Sequence, residues 1–269
     1  MRRRRRAVGA KTGLGAAGLV LAAVIALCGY AVASRGGDGT SPEGPAASAS
    51  APAEATAPQA PAAPAAPTAP APSRVSPLTP DADVPAPGAA RALLAALPTK
   101  GRAPKTGYDR VGDFGPAWED VDRNGCSTRD DILARDLTGV VRRGGCTVLS
   151  GTLDDPYAGR TIAFQRGPDT SARVQIDHVV ALMNAWQTGA QALSPEQRLR
   201  LANDPLNLVA VDGPTNQSKG AGDAATWLPP AKAFRCEYAS RQVAVKARYA
   251  LWVVPAERAA LDRILADCR

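Results

Sequence analysis

Histidine occurs once in the 269-residue chain, at position 178. That scarcity excludes every mechanism needing two imidazoles and every His-rich metal site. Aromatic residues are also few, with four Trp, five Tyr and three Phe. Rings so scarce go to a core first, so Trp186 and Trp227 read as core residues before they read as platforms for stacking bases. The first 33 residues contain no acid, yet Arg2 to Arg6 and Lys11 supply six of the chain's 32 cationic residues. From Ser34 onward, 26 cationic residues face 25 acidic ones. The formal charge of +7 therefore does not describe a generally basic surface, and any affinity for phosphate has to come from a local patch.

Residues 34–90, typified by AEATAPQAPAAPAAPTAPAPS, have hardly any large apolar side chains. Such a stretch buries too little surface to offset its ordering entropy and reads as a Pro/Ala/Ser-rich, semi-extended stalk that spaces the C-terminal part of the chain from a membrane or cell wall. Ahead of it, MRRRRRAVGAK is a cationic leader, Leu14 to Tyr30 an apolar run, and Ala31-Val32-Ala33 a cleavage signature. Residues 1–33 thus read as a secretory signal peptide or, uncleaved, a signal anchor, since the apolar run falls just short of the roughly 20 residues of a spanning helix. The chain is expected to be secreted, with membrane attachment only through that segment. Cys28 follows Leu27, where lipid attachment wants a small residue, and belongs to the apolar run.

Outside the signal stand Cys126, Cys146, Cys236 and Cys268. No two have C-x(2–4)-C spacing, which disfavours zinc, and an even number in an exported chain suggests two disulfides with three possible connectivities. Pro230 and Pro255 can each open a helix. Were these an antiparallel hairpin turning near Trp252, Cys236 and Cys268 would face one another, which favours the pairs Cys236–Cys268 and Cys126–Cys146.

Folded sequence resumes weakly at Ala89 to Leu97 and firmly at Tyr108, giving one domain over residues 104–269. Within it, 161–164 and 174–180 read as strands, Ser194 to Gln197 as a capping box opening a helix, 206–211 as a buried strand, and 216–219 as a helical turn. The fold class is α+β.

Asp177-His178 closes an apolar strand, Asn207 lies in the next apolar run, and Asn216 and Lys219 are three apart on a helical turn, hence on one face. A carboxylate and an amide oxygen suit a hard cation that takes the rest of its shell from water and phosphate. A lone histidine is more often structural than catalytic, but DHVVALMNAWQTGA, ANDPLNLVAVDGPTNQSKG and WLPP in this order resemble the HNH endonucleases. The likeness is to a secreted bacterial branch related to the C-terminal nuclease domain of GmrSD-type restriction enzymes. The flank YDRVGDFGPAWEDVDRNGCSTRDDIL resembles the same branch.

The resemblance implies a ββα-metal (His-Me finger) core and an endonuclease that hydrolyses DNA, or RNA, with Mg²⁺ or Mn²⁺. It implies His178 as general base, Asp177 and Asn216 as metal ligands, Asn207 as a catalytic residue that braces the loop orienting His178, and Lys219 on a phosphate. Arg166, Arg173, Lys232 and Arg235 flank the motif and are candidate phosphate contacts. Low sequence preference is expected because no separate recognition module is visible.

Two other readings remain. Asp120-Val121-Asp122-Arg123-Asn124-Gly125, with Asp131 at the twelfth position, follows the start of a calcium loop. It lacks the final glutamate and room for flanking helices, so an Asx-rich turn is the simpler reading; a stalked binding module holding Ca²⁺ there is the alternative function. A serine hydrolase pairing His178 with Ser171 or Ser194 lacks the G-x-S-x-G elbow.

Overall fold

The computed structural model describes residues 84–268. The signal segment and nearly all of the stalk lie outside the described residues. Helix α1 (Pro87–Ala96) comes first, then α2 (Arg110–Phe114), α3 (Thr128–Asp136) and the strands β1 (Leu137–Arg143), β2 (Thr147–Asp155) and β3 (Arg160–Gln165). After these come β4 (Val174–His178), α4 (Leu182–Gln187), α5 (Pro195–Asn203), β5 (Leu208–Asp212), α6 (Gly213–Lys219), α7 (Arg235–Arg248) and α8 (Pro255–Asp267). The architecture is mixed α+β. An antiparallel meander in the order β1-β2-β3 stands beside an antiparallel pair, β4-β5.

The β4-β5 pair organises the core. Its register runs from Val174 opposite Asp212 to His178 opposite Leu208. Alternate residues of a strand face opposite sides. Val174, Ile176, Leu208 and Ala210 accordingly pack with Ile132 and Leu133 of α3 and with Leu153 and Phe164 of the meander. On the other face Val209 and Val211 meet Tyr157 and Tyr238. Every residue of β5 is buried, and that accounts for its unbroken apolar run.

Local signals set the helix ends. Ser194 and Gln197 form the reciprocal capping box of α5, Asp212 accepts Thr215 N to start α6, and Pro255 occupies the first position of α8. Proline does not open α7, as Pro230 was expected to. The Ala231 amide donates to Tyr157 O at 2.9 Å and keeps Ala231 extended, so the helix begins only at Arg235.

The meander's first two strands carry a signal that periodicity misses. Gly144 and Gly145, at φ of 62° and 82°, turn the β1-β2 hairpin, a tight turn with both central residues at positive φ. The disulfides Cys126–Cys146 and Cys236–Cys268 bring their Cα atoms to 5.2 and 5.8 Å. The second joins the start of α7 to the end of α8.

Packed structure also begins ahead of residue 104. Ala90, Leu94 and Leu97 are buried with Val243, Val253 and Leu261, and Thr99 bridges to Val253. Five of the ten residues of α1 are alanine and only Leu93 and Leu94 are large and apolar, so the sequence marked this segment only weakly. Leu94 is 2% exposed, and Leu94→Ala is expected to cost about 2–5 kcal/mol, the usual range for emptying a core leucine site. Urea unfolding measures it; a loss under about 0.5 kcal/mol would mean that α1 rides on the surface.

Candidate functional site

His178 ends β4 with 7% of its surface exposed. Its Nε2 lies 2.8 Å from Ala202 O. A carbonyl can only accept, so Nε2 carries the proton and the neutral ring presents Nδ1 as an acceptor. The indole of Trp118 stacks on the imidazole, centroids 6.3 Å apart and planes 16° apart. Arg110, Trp118, His178, Ala202 and Asn203 are among the residues lining one small pocket.

Asp177 faces the other side of the strand. Lys219 Nζ lies 3.0 Å from its carboxylate and 2.7 Å from the backbone oxygen of His178. The Tyr157 hydroxyl donates to Asp177 Oδ2 at 2.5 Å. All three side chains are buried. Burial pushes the Asp177 carboxyl up from its ordinary value against the pull of Lys219 and Tyr157. Burial and the nearby Asp177 charge hold the Tyr157 hydroxyl well above its own, so it remains a donor.

Asn207 joins the two sides. Its Oδ1 accepts Val180 N at 2.8 Å, its Nδ2 donates to Val180 O and Leu201 O at 3.3 Å, and its carbonyl accepts Val179 N at 2.7 Å. The loop leaving His178 is thus fixed by one fully buried amide. Asn216 Nδ2 donates to Gln175 Oε1 at 2.9 Å, which turns the amide oxygen of Asn216 away from that partner. Gln175 and Asp177 share a face of β4, as Asn216 and Lys219 share a face of α6.

The flanking cations divide. Lys219 lies inside the pair with Asp177 and its side chain is 0% exposed. Arg166 is spent on Asp130 and on Val148 O. Both were expected on phosphate; Lys219 meets internal acceptors because burial demands partners for a charge, and Arg166 is half-buried between Asp130 and Val148 O. Arg173 is exposed beside β4, Lys232 is exposed, and Arg235 holds Pro229 O at 2.8 Å.

Trp186 packs with Tyr108 and Phe114, and Trp227 packs with Tyr157 and Tyr238. Ser194 caps α5 and Ser171 Oγ accepts Gly167 N, so neither serine bonds to His178. The Asp120 segment is a loop of Asx turns, with Asp120 accepting Asn124 N and Gly125 N, and Asn124 accepting Cys126 N. Among the described residues no group of three or more His, Cys, Asp or Glu is placed to hold a metal ion.

Three residues of this neighbourhood escaped the sequence reading. Asp155 accepts the amides of Tyr157, Ala158 and Asp212, and so turns Tyr157 inward onto Asp177. Asp155-Pro156-Tyr157-Ala158-Gly159 is turn chemistry visible in the sequence, but the contact with position 177 is not. Arg110 likewise reaches the His178 pocket only through the fold.

Burial first, and then the charge of Arg110, lower the pKa of His178 from 6.5 to about 3. The folded imidazole is therefore neutral where the unfolded one takes a proton. The resulting stability is fully present above pH 6.5 and is lost as pH falls from there toward 3. With one histidine in the chain there is one imidazole NMR signal to follow. It is expected not to titrate between pH 8 and 4.5, while the urea midpoint falls over that interval; a titration near 6.5 would show an exposed ring.

Among known proteins, the model for the C-terminal domain of GmrSD restriction endonucleases matches residues 127–264. A protein of Arthroderma benhamiae named only as an uncharacterized secreted protein is 36% identical over 195 residues, 72% of this chain and 91% of the fungal one. No solved structure matches. The matched span contains His178, Asp177, Asn207, Asn216, Lys219 and both strands that carry them, and the chain belongs to the family of the GmrSD restriction endonuclease C-terminal domain.

Proposed function

We propose that this protein is a secreted, metal-dependent endonuclease of the HNH kind, hydrolysing phosphodiester bonds of DNA, or RNA, with little sequence preference. The observation that carries this is the state of His178. It is a neutral imidazole fixed by a carbonyl at Nε2, with Nδ1 left as an acceptor in a pocket. The nuclease family supports the substrate class, and the order β4, β5, α6 is the order a ββα-metal core requires. The fungal relative's name supports export. Among the described residues no helix is long and apolar enough to cross a membrane.

In this reading the water oxygen attacks phosphorus and its proton passes to His178 Nδ1. The P–O3′ bond breaks, leaving a 5′-phosphate and, once protonated, a 3′-hydroxyl. Asp177 and Asn216 would hold Mg²⁺ or Mn²⁺. The donor set fits such a hard cation: a carboxylate with lone pairs beyond those taken by Lys219 and Tyr157, and an amide oxygen turned away from Gln175. Bound there, the ion would neutralise the phosphate and stabilise the departing 3′ oxygen. Asn207 positions the His178 loop, and Lys219 ties that loop to α6.

Plasmid nicking by the purified protein tests the reading. Cleavage is expected with Mg²⁺ or Mn²⁺, none with EDTA, and a fall of about 10²–10⁴ in kcat for His178→Ala, the usual contribution of a general base. Full activity of His178→Ala, or of the metal-free protein, would sink it. A survey of cleavage sites that returned a strict consensus would refute low specificity.

A further inference from the structure

One wall of the His178 pocket is the stretch from Arg110 to Trp118. This stretch lies outside residues 127–264, the span matched by the family model. Arg110 is exposed at the start of α2, and among the described residues its guanidinium makes no ion pair. It lines the same pocket as the imidazole of His178. In the same pocket Asn203 is 2% exposed. Its Nδ2 donates to Leu199 O, its Oδ1 is buried with no donor, and the residue stands between this pocket and a second one beside α3. Trp118 holds its ring over His178 from a backbone at φ 65°. Such a conformation is uncommon for a bulky residue and persists only where the surroundings enforce it.

The pocket therefore combines an exposed cation outside any ion pair at its rim and a neutral acceptor nitrogen in its wall. Its chemical complement is one anion and one hydrogen-bond donor. A phosphodiester and its attacking water supply both.

We propose that Arg110 is the phosphate-binding residue of this site, gripping the scissile phosphate so that the water beside it meets His178. The proposal rests on the nuclease reading above. Arginine suits the role because its planar fork meets two phosphate oxygens at once, which a lysine cannot do.

The test uses the full chain carrying His178→Ala, a short DNA duplex and a series of KCl concentrations. Adding Arg110→Ala is expected to weaken binding about 10-fold and to reduce the slope of log K against log salt by about 0.9, one phosphate contact's worth. Arg110→Lys should keep the slope and lose part of the affinity, and it keeps the test open should the alanine variant lose stability. Arg263→Ala, which removes an exposed cation from α8, should leave the slope unchanged. In the otherwise wild-type enzyme Arg110→Ala should lower kcat/KM at least 10-fold.

A slope unmoved by Arg110→Ala, or moved equally by Arg263→Ala, overturns the role of Arg110 while cleavage by the wild-type protein leaves the nuclease reading intact. If the wild-type protein cleaves neither DNA nor RNA and the His178→Ala protein binds neither, the nuclease reading falls and this proposal with it.

Discussion

The pair between Lys219 and Asp177 fixes α6 on the end of β4, and the geometry around His178 depends on it. Removing two charges from water costs several kcal/mol per ion and is offset only where the geometry is good and the remaining polar atoms are met. Here the ammonium has two acceptors, the carboxylate and the His178 carbonyl, and the carboxylate has a second donor in Tyr157. Loss of either charged partner would leave the other buried and uncompensated, a cost of about 3–5 kcal/mol. The pair thus specifies one register for the strand-strand-helix unit. It does so at the residue whose backbone carries the imidazole.

Strand alternation then separates two chemistries within two residues. Asp177 looks toward α6 and Tyr157, where charge is neutralised and protons are held. His178 looks toward Ala202 and Trp118, where one ring nitrogen is left open. Under the proposed mechanism a divalent ion shares the Asp177 carboxylate with Lys219. Lys219 has the His178 carbonyl as a second acceptor, so a weakened hold on the carboxylate still leaves its ammonium bonded. Asn207 keeps the loop after His178 fixed from inside the core, independently of either charge.

Much of this was legible in the sequence because it is local. Apolar alternation marked β3 and β4, an unbroken apolar run marked β5, a capping box marked α5 and Pro255 marked α8. The even cysteine count and the symmetry of Cys236 and Cys268 about Trp252 pointed to pairs that the fold contains. Other features depend on distance in space. The Arg143-Gly144-Gly145-Cys146 turn has a clear sequence signature, yet the flanking strands are half exposed and polar, so periodicity did not mark them. Tyr157 meets Asp177 across twenty positions, and Arg110 lines the His178 pocket from sixty-eight positions away. Lys219 shows the opposite failure: its place on a helical face was legible, but its burial was not, because that depends on Asp177 pointing away from its own neighbour.

Beyond α2, the segment that continues the wall of the His178 pocket, residues 115–125, has almost no regular structure of its own. Gly115, Trp118, Arg123 and Gly125 all have positive φ, and the backbone bonds holding this segment are few, chiefly Thr128 N to Trp118 O at 3.3 Å. A segment so poor in ladder hydrogen bonds needs another restraint, and Cys126–Cys146 supplies it by tying the segment's far end to the edge of β2. Such crosslinks persist in oxidising surroundings and are reduced in the cytosol. The proposed export and the shape of the site are therefore physically linked: an oxidising compartment keeps the crosslink that restrains the segment carrying Trp118.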